Sequence, residues 1–280
     1  MKLQISGLLG VAALVAGLAA SAPASAQGTW NFGGSTCNPS GTPPSATCTV
    51  GSVTATITAW GNTGTNGKFV QGKLAEFDPN GFGAYTGANE TTVNGHHAFD
   101  NKTTKCGSNG TTNTGCGGSV EAMLLGFDQQ VSLDQVKIGW YLTDADLSVY
   151  RWNGGTLDMT TIAPTLGNTA LAGWTLVGSN DMHVTNPYDT GNCADPKTCS
   201  NYSSYFLITT YFGAKSGNLD SGNDAFKIQT ITASLKPKDN GGGGNNGGGN
   251  VPEPASLALA GLALAGAGFA RRRGRRGRRD

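Results

Sequence analysis

The chain has 280 residues, with 19 Lys and Arg against 18 Asp and Glu, and a formal net charge of +1. This balance hides an uneven distribution, because seven arginines lie in the last ten residues while residues 27–250 hold 11 basic and 16 acidic side chains. The central part therefore carries a net charge of −5, which excludes a basic nucleic-acid-binding face. With 44 glycines and only 13% charged residues, the composition is typical of short strands joined by many turns.

The first 26 residues have the three regions of a secretory signal peptide. Lys2 supplies the positive charge, residues 8–20 form an apolar run, and Ala24-Ser25-Ala26 is a small-residue cleavage site. A retained first membrane helix is the alternative, and the small-residue site argues against it. We therefore expect export by the general secretion machinery, with Gln27 as the new N-terminus.

Strand patterns dominate residues 52–238, after an irregular lead-in predicted for residues 28–51. In Ser52–Trp60, small and apolar residues alternate with threonines, which predicts a strand. Further strands are expected at Lys73–Phe77, Ser119–Phe127, residues 136–142, Leu147–Trp152, Gly173–Val177, Asp181–Thr185, Tyr205–Phe212 and Ala225–Leu235. The apolar face changes within Ala225–Leu235, which indicates a bulge.

Residues 27–238 show neither a convincing helical period nor a fixed-length repeat. They therefore predict one all-β ectodomain, a single antiparallel β-sandwich that is jelly-roll-like. Its six cysteines form three near pairs in an exported chain, which favours disulfides over metal binding. Six cysteines allow 15 pairings, and of these we predict the local one: Cys37 with Cys48, Cys106 with Cys116, and Cys193 with Cys199.

The catalytic motifs of common hydrolases are missing from the sequence, and we expect a protein that is not an enzyme. The tandem His96-His97 would point to opposite faces of a strand, so we interpret both as solvated loop residues. A carboxylate pair such as Glu76 with Glu121 leaves a secreted hydrolase open as an alternative, since the separation of carboxylates depends on folding.

Alternate aspartates give the best polar constellation in the chain. Asp144 and Asp146 lie between two predicted strands, where they could bind Ca²⁺ or simply cap the turn. The spacing is not that of an EF-hand, because position twelve from Asp144 is a glycine. Asp220 and Asp224 form a second, weaker candidate. No cofactor is required by any of these patterns.

Aromatic residues on the best strands leave a carbohydrate-binding module open as another alternative. Tyr141, Tyr150 and Trp152 could form a sugar platform, or they could pack in the core of a sandwich. In a regular strand, Tyr150 and Trp152 share the face opposite Leu147 and Val149.

The C-terminus consists of four unlike pieces. Residues 239–250 are a Gly/Asn-rich flexible linker, followed by Pro252-Glu253-Pro254, an extended segment in which neither proline can donate a backbone hydrogen bond. An apolar run at about 255–270 would make a helix of roughly 24 Å, short for a ~30 Å hydrocarbon core. The tail holds seven arginines, which stay on the cytoplasmic side of a membrane: Arg271, Arg272, Arg273, Arg275, Arg276, Arg278 and Arg279.

This order of motif, short helix and arginine cluster over residues 251–280 resembles the PEP-CTERM sorting signal of Gram-negative bacteria. The resemblance implies recognition by an exosortase, transient anchoring in the inner membrane, and processing near Pro252-Glu253-Pro254. A softer resemblance links residues 121–154, with later segments such as SSYFLITTY, to exosortase-dependent surface proteins. The resemblance further implies a structural role at the cell surface or in an extracellular polysaccharide or biofilm matrix.

Overall fold

The structure is a computed structural model that describes residues 27–34, 37, 39–42, 44–63, 65–86, 97–101, 120–142, 144–184, 186–190, 201–221 and 224–237. All of these residues fall within the unit Met1–Pro237. The predicted signal peptide (1–26), linker (239–250), sorting motif, membrane helix (about 255–270) and arginine tail lie outside the described residues.

The described chain is mostly β-strand. Its thirteen strands are β1 (Gln27–Asn31), β2 (Ala46–Val50), β3 (Val53–Gly61), β4 (Val70–Gln71), β5 (Lys73–Phe77), β6 (Gly81–Tyr85), β7 (Phe99–Asp100), β8 (Glu121–Tyr141), β9 (Asp146–Trp152), β10 (Trp174–Asp181), β11 (Tyr188–Asp189), β12 (Ser203–Thr210) and β13 (Ala225–Leu235). Two 3₁₀ turns, Thr65–Gly67 and Met159–Thr161, are the helical elements of the described part. Neither turn, and no other helix within the described residues, has the length and hydrophobicity of a membrane-spanning segment.

The strands form one open, antiparallel sheet with the central order β10-β9-β12-β8-β13-β6-β5. β3 also pairs with β8 and carries β2 and β4, while β1 and β7 pair with β13 and β11 pairs with β8. The antiparallel all-β prediction is therefore confirmed. The finer prediction, a jelly-roll-like sandwich of two sheets, stays a prediction because hydrogen bonding joins all the strands into one sheet.

The 21-residue β8 connects the two parts of this sheet. Its first part, residues 121–127, lies between β3 and β12, and its second part, residues 131–141, pairs with β13. The sequence predicts two separate strands here, and that prediction is wrong. The polar residues 128–130 look like a turn, but Asp128 accepts the Thr54 N–H at 2.9 Å and Gln129 Nε2 donates to the Ser52 carbonyl at 2.6 Å. Both side chains thus fasten the β2–β3 turn to a continuous strand.

Side-chain alternation gives the sheet two apolar clusters. In β12, Phe206 and Ile208 join the larger cluster, while Leu207 joins the smaller one on the opposite face. In β9, Val149 lies in the larger cluster and Tyr150 in the smaller. The predicted division of faces in β9 is confirmed, and β9 and β12 are buried on both faces.

Two local predictions are wrong for the same reason, namely long-range pairing that local patterns do not reveal. The lead-in at residues 28–51 contains β1 and β2, and β1 is completed by β13, with Trp30 opposite Ile231. The strand predicted at Asp181–Thr185 does not form, because β10 continues from Trp174 to Asp181 across a bulge near Gly178. The bulge predicted in β13 is confirmed by register shifts on either side of Ile228.

The first predicted disulfide is present, between Cys37 and Cys48. Both residues are buried, and Cys48 lies in β2. The other four cysteines, Cys106, Cys116, Cys193 and Cys199, lie outside the described residues.

Candidate functional site

Three aspartates converge where β9 and β13 begin. Asp144 lies in the β8–β9 connection, Asp146 begins β9, and Asp224 directly precedes β13. A parallel backbone bridge joins Asp144 to Asp224, and the Ala225 N–H donates to the Asp144 carbonyl at 3.1 Å. As a result, one carboxylate oxygen from each of the three residues lies within 4.8 Å of the other two.

The cluster joins the two acidic candidates that the sequence offers separately. The Asp146 N–H donates to Asp224 Oδ1 at 2.7 Å, and the Asp220 N–H donates to Asp146 Oδ2 at 2.7 Å. The pairs at 144/146 and 220/224 therefore belong to one site. Each pair is visible in the sequence, but their union depends on β13 lying beside the β8–β9 connection.

Asn101 is a member of this site that the sequence interpretation missed. Its side-chain amide donates to the Tyr211 carbonyl at 2.7 Å and to Asp224 Oδ2, and its Oδ1 accepts the Asp224 N–H at 3.0 Å. It is 1% exposed. A single asparagine in a loop-rich region carries no spacing signal, so nothing in the sequence could have identified it.

Burial dominates the electrostatics of the cluster. Asp146 and Asp224 are both 0% exposed. Burial raises the pKa of Asp146 to about 7, with repulsion from Asp144, Asp181 and Asp220 adding to it and the hydrogen bond from Asp220 opposing it. Burial likewise raises the pKa of Asp224 to about 8, with hydrogen bonds from Asp146 and Asn101 opposing and the charges of Asp146 and Asp144 adding.

No lysine or arginine of the described residues forms an ion pair with Asp146 or Asp224; Lys215 Nζ instead lies 3.6 Å from Asp220. Asp146 Oδ1 is buried and has no hydrogen-bond partner. Because the two most deeply placed carboxylates are fully buried, a bulky substrate could not reach them. The arrangement suits a small ligand or a proton, and catalysis on a large molecule does not fit it.

The two glutamates of the hydrolase alternative occupy different settings. Glu121, at the start of β8, is 1% exposed and accepts the Asp100 N–H at 3.0 Å and the Thr86 hydroxyl. Glu76 lies in β5 opposite Phe82, and burial, followed by the charge of Asp78, raises its pKa. Glu121 thus helps to hold β7 beside β8. A catalytic role for Glu121 together with Glu76 stays a prediction.

The histidine interpretation needs a correction. His97 is 8% exposed, and its ring stacks on Tyr85 with centroids 3.6 Å apart. It is therefore packed among aromatic rings and not solvated as the sequence suggested, while His96 lies outside the described residues. His183 meets the edge of Tyr141 at 6.1 Å between ring centroids.

The three candidate aromatics divide between core and surface. Tyr150 is 0% exposed and donates its hydroxyl to the Thr169 carbonyl at 2.9 Å, so it packs in the core and cannot form a sugar platform. Trp152 is half-buried against Trp174, with ring centroids 5.2 Å apart. Tyr141 is also half-buried, at the end of β8.

Trp152 borders a polar cleft of about 240 Å³. The other lining residues are Gln130, Arg151, Asn153, Gly154, Gly155, Tyr202, Ser203, Ser204 and Tyr205. Arg151 Nε is buried without a hydrogen-bond partner, and Tyr205 is 36% exposed. This cleft combines aromatic faces with amide, hydroxyl and guanidinium groups.

The class of the chain is defined by its C-terminus, since comparison with curated protein sequences and with solved structures gave no significant match. Residues 250–276 match the family described as the PEP-CTERM protein-sorting motif. The match includes Pro252-Glu253-Pro254, the apolar run and the first five arginines of the tail. The motif implies an exosortase-targeted surface protein, which is exported, processed by an exosortase at the membrane and finally located at the cell surface.

Proposed function

We propose that this protein is a non-catalytic structural component of an extracellular polysaccharide or biofilm matrix. The observation that carries the proposal is the sorting motif at residues 250–276, which follows a β-rich ectodomain in the sequence. In this account the signal peptide directs the chain through the general secretion machinery, and the arginine tail then stops transfer at the inner membrane. Exosortase processing releases the ectodomain to the surface or matrix.

The physical basis of this sorting step is the difference between the two ends of the apolar run. Arginines are costly to move into a bilayer, so the Arg271–Arg279 block stays in the cytoplasm. An Ala/Gly-rich helix shorter than the hydrocarbon core is a marginal anchor, which suits a temporary hold. Pro252-Glu253-Pro254 then lies at the outer edge of the membrane without regular backbone hydrogen bonds, in a form that a processing enzyme can bind.

Replacement of Pro252 and Glu253 by alanines tests the proposal. We expect export to continue while the full-length chain accumulates in the inner membrane, as followed by membrane fractionation and immunoblotting. The matched control is Pro237→Ala with Asp239→Ala, which makes similar changes ahead of the motif and should be processed normally. Normal processing of the motif variant would contradict the proposal.

A carbohydrate-binding module is the second candidate, and the cleft beside Trp152 favours it. Sugars present both hydroxyl groups and an apolar C–H face, which polar side chains and aromatic rings can bind together. Arg151 lines this cleft, and its guanidinium N–H groups are donors suited to sugar hydroxyls.

A glycan array separates the two candidates. A matrix-binding module should bind a defined polysaccharide, lose this binding in Tyr205→Ala, and keep it in Leu166→Ala, a control at another exposed apolar residue. Failure of the wild-type chain to bind any glycan would leave the scaffold role. Hydrolysis of a glycan that disappears in Glu121→Gln would instead favour the secreted-hydrolase alternative.

A further inference from the structure

We propose that Asp144, Asp146 and Asp224 form a calcium site that fastens the start of β9 to the start of β13. This inference is independent of the sorting function, since it concerns only the ectodomain. The three ligands come from two parts of the chain that lie about eighty residues apart, and the Asp144–Asp224 backbone bridge brings them together.

The unpartnered oxygen of Asp146 is the observation that points to a ligand. Asp146 is 0% exposed, its Oδ2 accepts the Asp220 N–H, and its Oδ1 has no hydrogen-bond partner. A buried carboxylate oxygen without a partner is unfavourable, because it has lost its hydrogen bonds to water and has formed none with the protein. A cation bound between Asp146 and its neighbouring carboxylates would compensate this oxygen.

The negative charge of the cluster also favours a bound cation. Three carboxylates within 4.8 Å repel one another, and no lysine or arginine of the described residues pairs with Asp146 or Asp224. A divalent cation removes the repulsion and allows all three groups to be ionised. The alternative to a bound cation is a cluster in which some of the carboxyl groups stay protonated.

The chemistry of the donors selects calcium among common cations. All the donors of the cluster are oxygens, as a hard cation requires, and no histidine or cysteine takes part. The three carboxylate oxygens lie within 4.8 Å of one another, close enough for one ion to bridge them, and Ca²⁺ accepts oxygens at ~2.4 Å in flexible geometry. Mg²⁺, with a Mg–O distance of ~2.05 Å, would need a tighter and nearly octahedral set.

Neighbouring hydrogen bonds hold the ligands in place before an ion arrives. The Asp220 and Asp146 N–H groups fix Asp146 and Asp224 respectively, and the Asn101 side chain fixes both the backbone and the carboxylate of Asp224. A preformed site of this kind lowers the ordering cost of binding. Sites of extracellular modules bind calcium with Kd of roughly 0.1–1 mM, so this site would fill after export.

Thermal unfolding of the full-length chain in detergent, first stripped with EDTA, tests the site. At a calcium concentration of about 100 Kd we expect the Tm to rise by roughly 5–10 °C, with a much smaller rise in equal Mg²⁺. Asp224→Asn and Asp144→Asn keep the size of the side chain and should remove most of this rise. The matched control, Asp189→Asn, changes an exposed aspartate in β11 and should retain it.

A second measurement protects the test against a variant that does not fold. Terbium luminescence of the wild-type chain, with calcium as competitor, reports occupancy directly, and we expect saturable binding that calcium displaces. Identical melting curves in calcium and EDTA, together with the lack of terbium binding, would overturn the proposal in favour of shared protons. Equal stabilisation by Mg²⁺ would overturn the selectivity for calcium.

Discussion

Lys227 illustrates how this sheet accommodates a buried charge at the scale of one residue. It lies in β13, is 6% exposed, and has its Nζ 3.8 Å from the ring centroid of Trp140 and 4.6 Å from that of Phe77. The two rings offer the ammonium a cation–π environment, and no described carboxylate forms an ion pair with it. Burial lowers the pKa of Lys227 below its ordinary value of 10.5.

This lowered pKa predicts a pH dependence of stability. The unfolded chain binds the Lys227 proton more tightly than the folded chain, so the folded state gains stability as the pH rises from the lowered pKa to 10.5. We expect the free energy of unfolding of the wild type, minus that of Lys227→Met, to increase between pH 8 and pH 10.5 in urea titrations. Subtracting the value of the variant removes the contributions of the groups that titrate in both proteins and leaves that of Lys227. A difference that does not change with pH would contradict the prediction.

At the scale of elements, local alternation decided which strands could be predicted. β3 and β5 follow from their own sequences, because Val53, Ala55 and Ile57 alternate with threonines and Lys73–Phe77 is bounded by turn residues. β1 and the middle of β8 could not be predicted, since they depend on partners more than seventy residues away. The same distinction applies to the acidic site. Its aspartate pairs are close together in the sequence and could be recognised there, whereas Asn101 comes near them only when the chain folds.

Gly139 in β8 is required by a close approach between elements. A Cβ at this position would lie 2.4 Å from the Asn80 carbonyl oxygen, in the connection between β5 and β6. We expect Gly139→Ala to destabilise the protein by about 1–3 kcal/mol, because backbone must move to relieve the overlap. Urea unfolding midpoints measure this effect.

Gly126 provides a control on the same strand. A Cβ there would lie 3.1 Å from Cε1 of Tyr205, a side chain that is 36% exposed and can rotate away. Gly126→Ala should therefore cost less than Gly139→Ala. An equal loss in the two variants would show that the crowding at Asn80 is not the cause.

The Cys37–Cys48 disulfide closes a loop with a sequence separation of 11 residues. By the loop-entropy model, a loop of this size contributes up to about 3 kcal/mol. We expect the double replacement of both cysteines by serine to lower the free energy of unfolding by this amount or less, and non-reducing peptide mapping to recover the 37–48 pair. Recovery of either cysteine linked to one of the other four would contradict the local pairing.

At the scale of the whole molecule, the ends of the chain reveal more about function than the ectodomain does. The sorting motif has a fixed order and composition, so it could be identified from the sequence, and residues 250–276 match it. The ectodomain offers no catalytic motif, and its acidic site and polar cleft are assembled from distant segments. Location could therefore be inferred from the sequence, while the possible ligands emerge only from the arrangement of the strands.

Intact-mass analysis of the wild-type protein recovered from the cell surface and the medium tests the central claim most directly. Processing near Pro252-Glu253-Pro254 predicts a mature chain that begins at Gln27 and lacks the apolar run and all seven arginines of the tail. A full-length C-terminus, with Arg271–Arg279 present on the protein at the wild-type surface, would contradict the account.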